Sequence, residues 1–236
     1  MEFDSVEDAI AALRRGVPVL IFDSESRENE VDMVFHASRV DSDVIYELRV
    51  AAGGLICYAM PLAVGRVLGL RLATEYLSHF DELRPLTSRR LGYGDEPAFS
   101  IWVNHKDVRT GISDSDRALT IRELHRVTSM VLNGHPERAR AYFSENFVAP
   151  GHVPILLGRS LSQRQGHTEL ALHLAALAGL EPSVTLAEML SRERSATLDE
   201  ARRFAKERGY PLISSRQIVL EVSRHGEDLC RRYHLC

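Results

Sequence analysis

Short apolar runs alternate with stretches of helical periodicity along the chain. Runs of about four to eight apolar, often β-branched residues are typical of buried strands. They predict strands at residues 17–22, 31–37, 54–60, 99–105 and 153–157. Between these runs, apolar residues recur every three or four positions, which predicts amphipathic helices. The alternation favours a fold in which helices cover buried strands.

Capping residues predict where several helices begin and end. Ser5 and Asp8 can cap a first helix that Gly16 terminates. Thr120 and Glu123 form the capping-box pattern of a second helix. Further helices are predicted at residues 168–178, 184–190 and 198–208.

The sequence predicts one domain. No internal repeat and no linker rich in proline or glycine divides residues 1–236, so we expect a core at about 4–222 and a C-terminal tail at 223–236. Residues 82–97 are predicted as the longest loop, because charges, glycines and prolines interrupt every hydrophobic period there. A chain of 236 residues can bury a large core, which excludes a disordered protein or a small disulfide scaffold.

Charge and composition exclude several classes of partner. The formal net charge is −4 and the pI is about 6.2, so no overall positive field attracts nucleic acid. The acidic N-terminal segment does not resemble a signal peptide, and no apolar run approaches the length of a membrane span. Three cysteines without a CxxC pair favour a reducing compartment over a zinc site. We therefore expect a cytoplasmic protein with neither a nucleic-acid nor a membrane partner.

An acidic segment follows the first predicted strand. Five carboxylates surround Arg27 within ten residues: Asp23, Glu25, Glu28, Glu30 and Asp32. One interpretation is a solvated acidic loop. The other is a site for a hard cation such as magnesium, which one or two carboxylates bind together with substrate oxygens. In that case Arg27 suits a phosphate or an enolate oxygen.

A second candidate site is the segment RQGHTE at residues 164–169. Gly166 allows a ligand close to the backbone, and Thr168 opens a predicted helix whose N-terminus would attract phosphate. Arg164 could add a charge-assisted fork, and His167 could ligate a metal. An ordinary capped helix with a polar turn explains the same residues.

Isolated polar residues give weaker signals. His152 begins an apolar strand, where a structural histidine is the common case and a general acid or base the functional one. Glu188 lies in a short apolar segment predicted as helical, so an exposed helix face competes with a buried carboxylate. Thr110 belongs to a turn that either holds phosphate or caps a helix. Cys57 is interpreted as a small buried apolar residue.

Six motifs in order resemble one family. DSESRENEVDMV, AAGGLIC, TGISDSDRALT, APGHV, RQGHTEL and LAEML are together similar to the 3,4-dihydroxy-2-butanone 4-phosphate synthase family of riboflavin biosynthesis, in its monofunctional form. The resemblance implies an α+β fold, a three-layer α/β/α sandwich around a mixed twisted sheet. It also implies a homodimer with active sites near the interface, where His152 reaches into the partner's site.

The reaction implied by the resemblance converts D-ribulose 5-phosphate to L-3,4-dihydroxy-2-butanone 4-phosphate and formate. It implies Mg²⁺ or Mn²⁺ and no organic cofactor. Carboxylates, a histidine and a hard cation suit proton removal beside a ketone and stabilisation of the resulting enediolate.

The resemblance also assigns residues. Glu28 and His167 fall on metal-ligand positions, while His152 and Glu188 fall on positions essential for the chemical steps, with Glu30 as a further acid or base. The implied substrate-binding residues are Arg27, Glu28, Asp32, Thr110, Arg164, Gln165, Gly166, His167, Thr168 and Glu188.

The sequence departs from the family pattern at Val31, at Asp114 and in the turn Arg192–Ser195. None of these positions is an implied ligand. Two other functions stay open at this stage: a nucleotide- or RNA-binding module of related architecture, and another metal-dependent sugar-phosphate isomerase or aldolase.

Overall fold

Seven strands form one mixed sheet in the computed structural model, which describes residues 3–90 and 92–235. The strands are β1 Val19–Phe22, β2 Val31–His36, β3 Cys57–Pro61, β4 Phe99–His105, β5 Phe147–Gly158, β6 Val184–Glu188 and β7 Leu212–Ser214. Their order across the sheet is β4-β5-β3-β6-β2-β1-β7. The β1–β7 and β3–β5 pairs are parallel, and the other neighbouring pairs are antiparallel.

Helices cover both faces of this sheet. They are α1 Val6–Arg15, α2 Ser42–Glu47, α3 Leu62–Val67, α4 Ala73–Leu77, α5 Arg84–Thr87, α6 Asp114–Leu132, α7 Pro136–Asn146, α8 His167–Leu177, α9 Leu198–Arg208 and α10 Ser215–Tyr233. One face packs against α1, α8 and α10, and the other packs against α2, α3, α6 and α9. The predicted three-layer α+β sandwich is confirmed.

Several predicted elements match the structure closely. The side chain of Ser5 accepts the Asp8 N–H at 3.0 Å at the start of α1, and Gly16 ends that helix with φ of 79°. The first helix, the strand at 99–105 and the helix at 198–208 have their predicted bounds to within a residue. These elements carry strong local signals, since a cap, an alternating pattern or a C-terminal glycine marks their ends.

The helix predicted at 184–190 is wrong, because this segment forms β6. Its residues alternate between the two apolar clusters of the protein: Val184 and Leu186 face α8, whereas Ala187 packs on the opposite side. β6 pairs with β2 on one side and β3 on the other. A short apolar run buried on both faces of a sheet has the same composition as a buried helix, so its periodicity alone cannot distinguish them.

The start predicted for α6 is also wrong. The helix begins six residues before Thr120, at Asp114, where the side chain of Ser113 accepts the Asp116 N–H at 3.2 Å. Thr120 is fully buried and accepts the His105 N–H at 3.0 Å, so it ties α6 to β4.

The sequence did not predict α2, α3, α4, α7, β7 or α10, and α5 forms inside the predicted loop at 82–97. The segment set apart as a C-terminal tail continues α10, and Leu229, Tyr233 and Leu235 are buried in the cluster beneath α8. Within the part of the chain that the structure describes, no helix has the length and apolarity that a membrane span needs.

A buried histidine at the end of β2 links the fold to pH. His36 is 3% exposed, its Nε2–H donates to the Glu181 carbonyl at 2.8 Å, and its Nδ1 lies 2.7 Å from the Ser38 hydroxyl. Burial lowers the pKa of His36 to about 4, and the neighbouring ring of His125 adds to this effect. The neutral imidazole is therefore the form that the fold accommodates.

We expect acid to destabilise the protein through His36. Its pKa is lower in the folded than in the unfolded chain, so its contribution is complete above about pH 6.5 and is lost as the pH falls towards 4. Between neutral pH and pH 4.5 the wild-type protein should lose about 2–3 kcal/mol more unfolding free energy than His36→Gln, measured by urea denaturation. The exposed His79 supplies the control His79→Gln, which should follow the wild type. Equal losses of unfolding free energy in all three proteins would show that His36 is not the source of the acid sensitivity.

Candidate active site

The candidate site lies where β2 begins and β6 ends, beside the first turn of α8. Asp32 on β2 and Glu188 on β6 are direct partners across the antiparallel pair. They open into a cavity of about 290 Å³. Its lining consists of Glu28, Glu30, Asp32, Leu55, Cys57, Tyr93, Pro97, Ala98, Phe99, Leu156, Arg164, His167, Thr168, Leu186 and Glu188.

The acidic segment folds around Asp23. This side chain is almost completely buried and accepts the N–H groups of Glu28 at 2.9 Å and Glu30 at 3.0 Å. The carbonyl of Ser24 accepts two further N–H groups of the loop. Because Asp23 is committed to the backbone, it shapes the loop and directs Glu28 and Glu30 towards the cavity. The alternative of a fully solvated acidic loop is therefore not what the structure contains.

Glu28 joins the loop to α8. Its Oε2 lies 2.8 Å from Arg27 Nη1 and 3.3 Å from His167 Nδ1. The same His167 nitrogen lies 3.5 Å from Asp32 Oδ1. Residues more than a hundred positions apart thus form one series of ion pairs, in which basic and acidic side chains alternate.

The electrostatics follow from this packing. Burial opposes ionisation of Glu28, but the hydrogen bond with His167 and the charge of Arg27 outweigh it and lower the pKa of Glu28 to about 2. Burial raises the pKa of Asp32 to about 7, against the opposing charge of His167. Burial disfavours the charged form of His167, yet Asp32 and Glu28 together raise its pKa to about 9.

The residues around His167 suit a divalent cation. Ligand atoms of Asp23, Glu28 and His167 lie within 4.8 Å of one another. Among the described residues, His167 Nε2 and Asp32 Oδ1 are buried without a hydrogen-bond partner. Buried polar atoms are rarely left unpaired, so these two atoms are candidates for binding a cation. Carboxylate oxygens with one imidazole suit Mg²⁺ or Mn²⁺.

A backbone N–H fixes the carboxylate of Glu188, and a serine hydroxyl fixes that of Glu30. The Leu55 N–H donates to Glu188 Oε2 at 2.8 Å, and the Gly54 N–H donates to the Glu188 carbonyl at 3.0 Å. A Cβ at Gly54 would overlap Glu188, which explains the glycine. Ser195 Oγ donates to Glu30 Oε1 at 2.5 Å. The turn Arg192–Ser195, in which the sequence departs from the family pattern, therefore reaches the site.

Arg164 is fixed by a buried acid. Its Nη1 lies 2.5 Å from Oε2 of Glu169, which is completely buried and also accepts the Arg159 N–H at 3.1 Å. Gly166 has extended backbone angles that any residue adopts, but a Cβ there would overlap the Arg164 guanidinium. The glycine therefore makes room for the arginine beside the N-terminus of α8.

We expect Gly166→Ala to weaken substrate binding more than folding. The added methyl group displaces the end of a flexible side chain rather than backbone, so the Michaelis constant should rise by about tenfold as a charge-assisted contact is lost. Steady-state kinetics and thermal melting measure the two effects. Gly226→Ala is the matched control, because a Cβ there meets no atom within 4 Å and the residue lies in α10, far along the chain. A wild-type Michaelis constant in Gly166→Ala would refute this role of Gly166.

The structure brings together most of the residues predicted for the site. Glu28, Glu30, Asp32, Arg164, His167, Thr168 and Glu188 all line the cavity. Arg27 contacts it through Glu28, and Gln165 and Gly166 follow Arg164 at the start of α8. Glu188 stands at the end of a strand and not on an exposed helix face.

Five predicted residues do not line this cavity. Arg27, Gln165 and Gly166 are chain neighbours of residues that do, whereas His152 and Thr110 lie on other segments. His152 is exposed on β5, and its backbone N–H donates to Asn104 Oδ1 at 2.8 Å. Thr110 is exposed and its hydroxyl contacts Asp116. Neither residue lines the cavity of its own chain.

Other residues at the site were missed. Tyr93 and Asp95 come from the segment predicted only as a long loop, and no local pattern marks them. Arg27 Nε lies 2.9 Å from Asp95 Oδ2, and its guanidinium lies 4.9 Å from the centre of the Tyr93 ring. Glu169 had a usable signal, since it is the acidic residue of an otherwise mostly apolar helix, and such a residue needs a buried partner.

Comparisons with known proteins agree with this geometry. A family model for 3,4-dihydroxy-2-butanone 4-phosphate synthase matches residues 7–221. A curated relative of that name from Archaeoglobus fulgidus is 38% identical over 232 residues, which cover 94% of this chain and 95% of the relative.

Solved structures are similar as well. A 3,4-dihydroxy-2-butanone 4-phosphate synthase in complex with two magnesium ions has a TM-score of 0.72 and 26% identity, over 94% of this chain and 98% of that one. A two-domain synthase from A. baumannii has a TM-score of 0.73 and 26% identity, over 93% of this chain, which spans only 58% of that protein. The resemblance of the six motifs is confirmed: the chain belongs to the 3,4-dihydroxy-2-butanone 4-phosphate synthase family of enzymes.

Proposed function

We propose that residues 1–236 form one domain and act as a cytoplasmic lyase of riboflavin biosynthesis, which converts D-ribulose 5-phosphate to L-3,4-dihydroxy-2-butanone 4-phosphate and formate. One observation carries the proposal. The acidic loop, the β2–β6 strand ends and the N-terminus of α8 supply carboxylates, an imidazole and an arginine to a single cavity. Proton removal beside a ketone, with charge stabilisation, needs these groups together.

The substrate's phosphate lies at the N-terminus of α8 beside Arg164. The first-turn N–H groups and the fixed guanidinium favour a dianion there. Gln165, Gly166 and Thr168 belong to the same turn, while Arg27 and Asp32 bind the sugar oxygens. Thr110 is assigned a further substrate contact by the resemblance, although it does not line this chain's cavity.

Glu28 and His167 hold Mg²⁺ or Mn²⁺. When bound, the cation stabilises negative charge that develops on the substrate's oxygens. His167 can bind a cation only as a neutral imidazole. Asp32 and Glu28 raise its pKa to about 9, so cation binding must release a proton from His167. The proposal needs no organic cofactor.

Proton transfer falls to three residues of the chain. Glu188 is held by the Leu55 N–H and Glu30 by Ser195, and both carboxylates line the cavity. His152 supplies a third group from the partner subunit of a homodimer. Burial raises the pKa of Asp32 to about 7. Near neutral pH its carboxyl group can therefore carry a proton and donate a hydrogen bond to a sugar oxygen.

Formate release tests this function. Purified protein is incubated with ribulose 5-phosphate and Mg²⁺, with and without chelator, while formate and the four-carbon phosphate are measured. We expect equal amounts of both products and loss of both in chelator. Consumption of ribulose 5-phosphate without formate would identify an isomerase or aldolase instead. No turnover by folded, metal-loaded protein would favour the nucleotide- or RNA-binding module.

A further inference from the structure

We propose that Asp95 is a specificity-determining residue of the anion subsite: its carboxylate lies between Arg27 and Arg164 and must be displaced by the ligand, which favours dianions over monoanions. The inference rests on the proposed function, since it assumes that the phosphate bound beside Arg164 also reaches Arg27, which then contacts phosphate as well as sugar oxygens. It concerns a residue in the loop between α5 and β4 that has no assigned role.

The geometry puts one oxygen between two arginines. Asp95 Oδ2 lies 2.9 Å from Arg27 Nε and 3.9 Å from Arg164 Nε. The first contact is a charge-assisted hydrogen bond, and the second is too long for one. A single carboxylate thus occupies the space between two guanidinium groups without satisfying both.

Both arginines are more firmly held than Asp95. Their side chains are 10% and 8% exposed, whereas that of Asp95 is 31% exposed. Glu28 and Asp23 contact Arg27 from one side, and buried Glu169 holds Arg164 from the other. When an anion enters from solvent, the exposed carboxylate is therefore the group that moves.

The arginines keep donors that Asp95 does not use. Among the described residues, Arg27 Nη2 and Arg164 Nε are buried and lack a hydrogen-bond partner. A phosphate group offers three terminal oxygens in place of one carboxylate oxygen. It can therefore satisfy both donors, which gives a ligand an advantage over the intramolecular carboxylate.

The residues on both sides of Asp95 are anchored, and they keep its side chain between the two arginines. The neighbouring Glu96 contacts Arg159 at 2.9 Å and accepts the Thr74 hydroxyl at 2.5 Å. Two residues earlier, the Tyr93 ring lies against the Arg27 guanidinium. With both flanks anchored, Asp95 can leave the arginines by a local side-chain movement.

Selectivity follows from the charge exchanged. A monoanion such as chloride replaces one negative charge by another and gains little, while a phosphate dianion adds a charge to the pair of arginines. The Asp95 carboxylate thus competes with every anion that enters the site. A weakly binding monoanion cannot displace it, so the competition increases selectivity for dianions. It also lowers the affinity for phosphate itself.

Inorganic phosphate and chloride are the probes. Their affinities for the full-length protein are measured by isothermal titration calorimetry, or by competition between them, at mildly alkaline pH where phosphate is a dianion. Asp95→Asn should bind phosphate about tenfold more tightly, as expected for loss of a competing charge-assisted hydrogen bond, and should bind chloride measurably. Asp95→Glu should keep affinities near those of the wild type. Asp81→Asn, at an exposed aspartate, is the control for net charge.

The outcomes separate this inference from the proposed function. Unchanged phosphate affinity in folded Asp95→Asn overturns the inference, even if the wild type releases formate. Weaker phosphate binding overturns it too, because Asp95 would then support the subsite. Tighter phosphate and chloride binding in Asp95→Asn alone supports it, whether or not formate is released. Equal tightening in Asp81→Asn would trace the effect to net charge and overturn it.

Discussion

Replacing Glu28 by glutamine is expected to lower metal-dependent formate release by about 10²–10³-fold while the protein remains folded. The carboxylate is ionised across the pH range of any assay, because His167 and Arg27 lower its pKa to about 2 despite burial. Glutamine has nearly the same shape and keeps an oxygen for Arg27. It lacks the negative charge that makes a carboxylate a stronger ligand for a hard cation than a neutral amide.

Metal titration identifies the cause of this loss. The Mg²⁺ concentration for half-maximal activity should rise in Glu28→Gln, and binding of Mn²⁺, followed by electron paramagnetic resonance, should weaken in parallel. Glu25→Gln is the matched control, because Glu25 belongs to the same acidic loop but is exposed and does not line the cavity. Wild-type metal response in Glu28→Gln, or equal damage in Glu25→Gln, would exclude Glu28 as a ligand.

The six motifs indicated which residues meet in one cavity better than local signals indicated the elements around it. Glu28 and His167 were assigned as ligands by resemblance, and the fold brings atoms of these distant residues to 3.3 Å. The segment 184–190 was assigned to a helix because composition alone cannot show that β2 and β3 pair with it on both sides. Strand pairing is a tertiary interaction, and it overrides a weak local preference.

The missed helices have different causes. α7 begins with Pro136 at its first turn, but only Ala139 among its residues is buried, so it lacks an apolar face to recognise. α10 does carry a local signal, because the capping-box pair Ser214 and Gln217 marks its start. Asp95 could not have been found from sequence, because its contact with Arg27 depends on a long loop returning to the acidic segment.

The position of His152 bears on the oligomeric state. This histidine lies outside the cavity of its own chain, on the same pair of strands as Trp102 and Val148, which are 46% and 54% exposed. Large exposed apolar side chains in one area mark interaction surfaces. A homodimer formed through the β4–β5 edge would cover them and carry His152 to a neighbouring cavity, as the proposed function requires.

Mixing two inactive variants tests this arrangement. His152→Ala and Glu28→Ala should each lack activity alone, because every site loses either its histidine or its metal ligand. After the subunits exchange at equal concentrations, half of the dimers are mixed, and one of the two sites in each mixed dimer has both native groups. Formate release should then recover to about a quarter of the wild-type rate. Exchange is verified by native mass spectrometry, and His152→Ala mixed with a second His152→Ala sample is the control. If verified mixed dimers stay inactive, His152 does not act in the partner's site, since a shared site must recover when each subunit supplies what the other lacks.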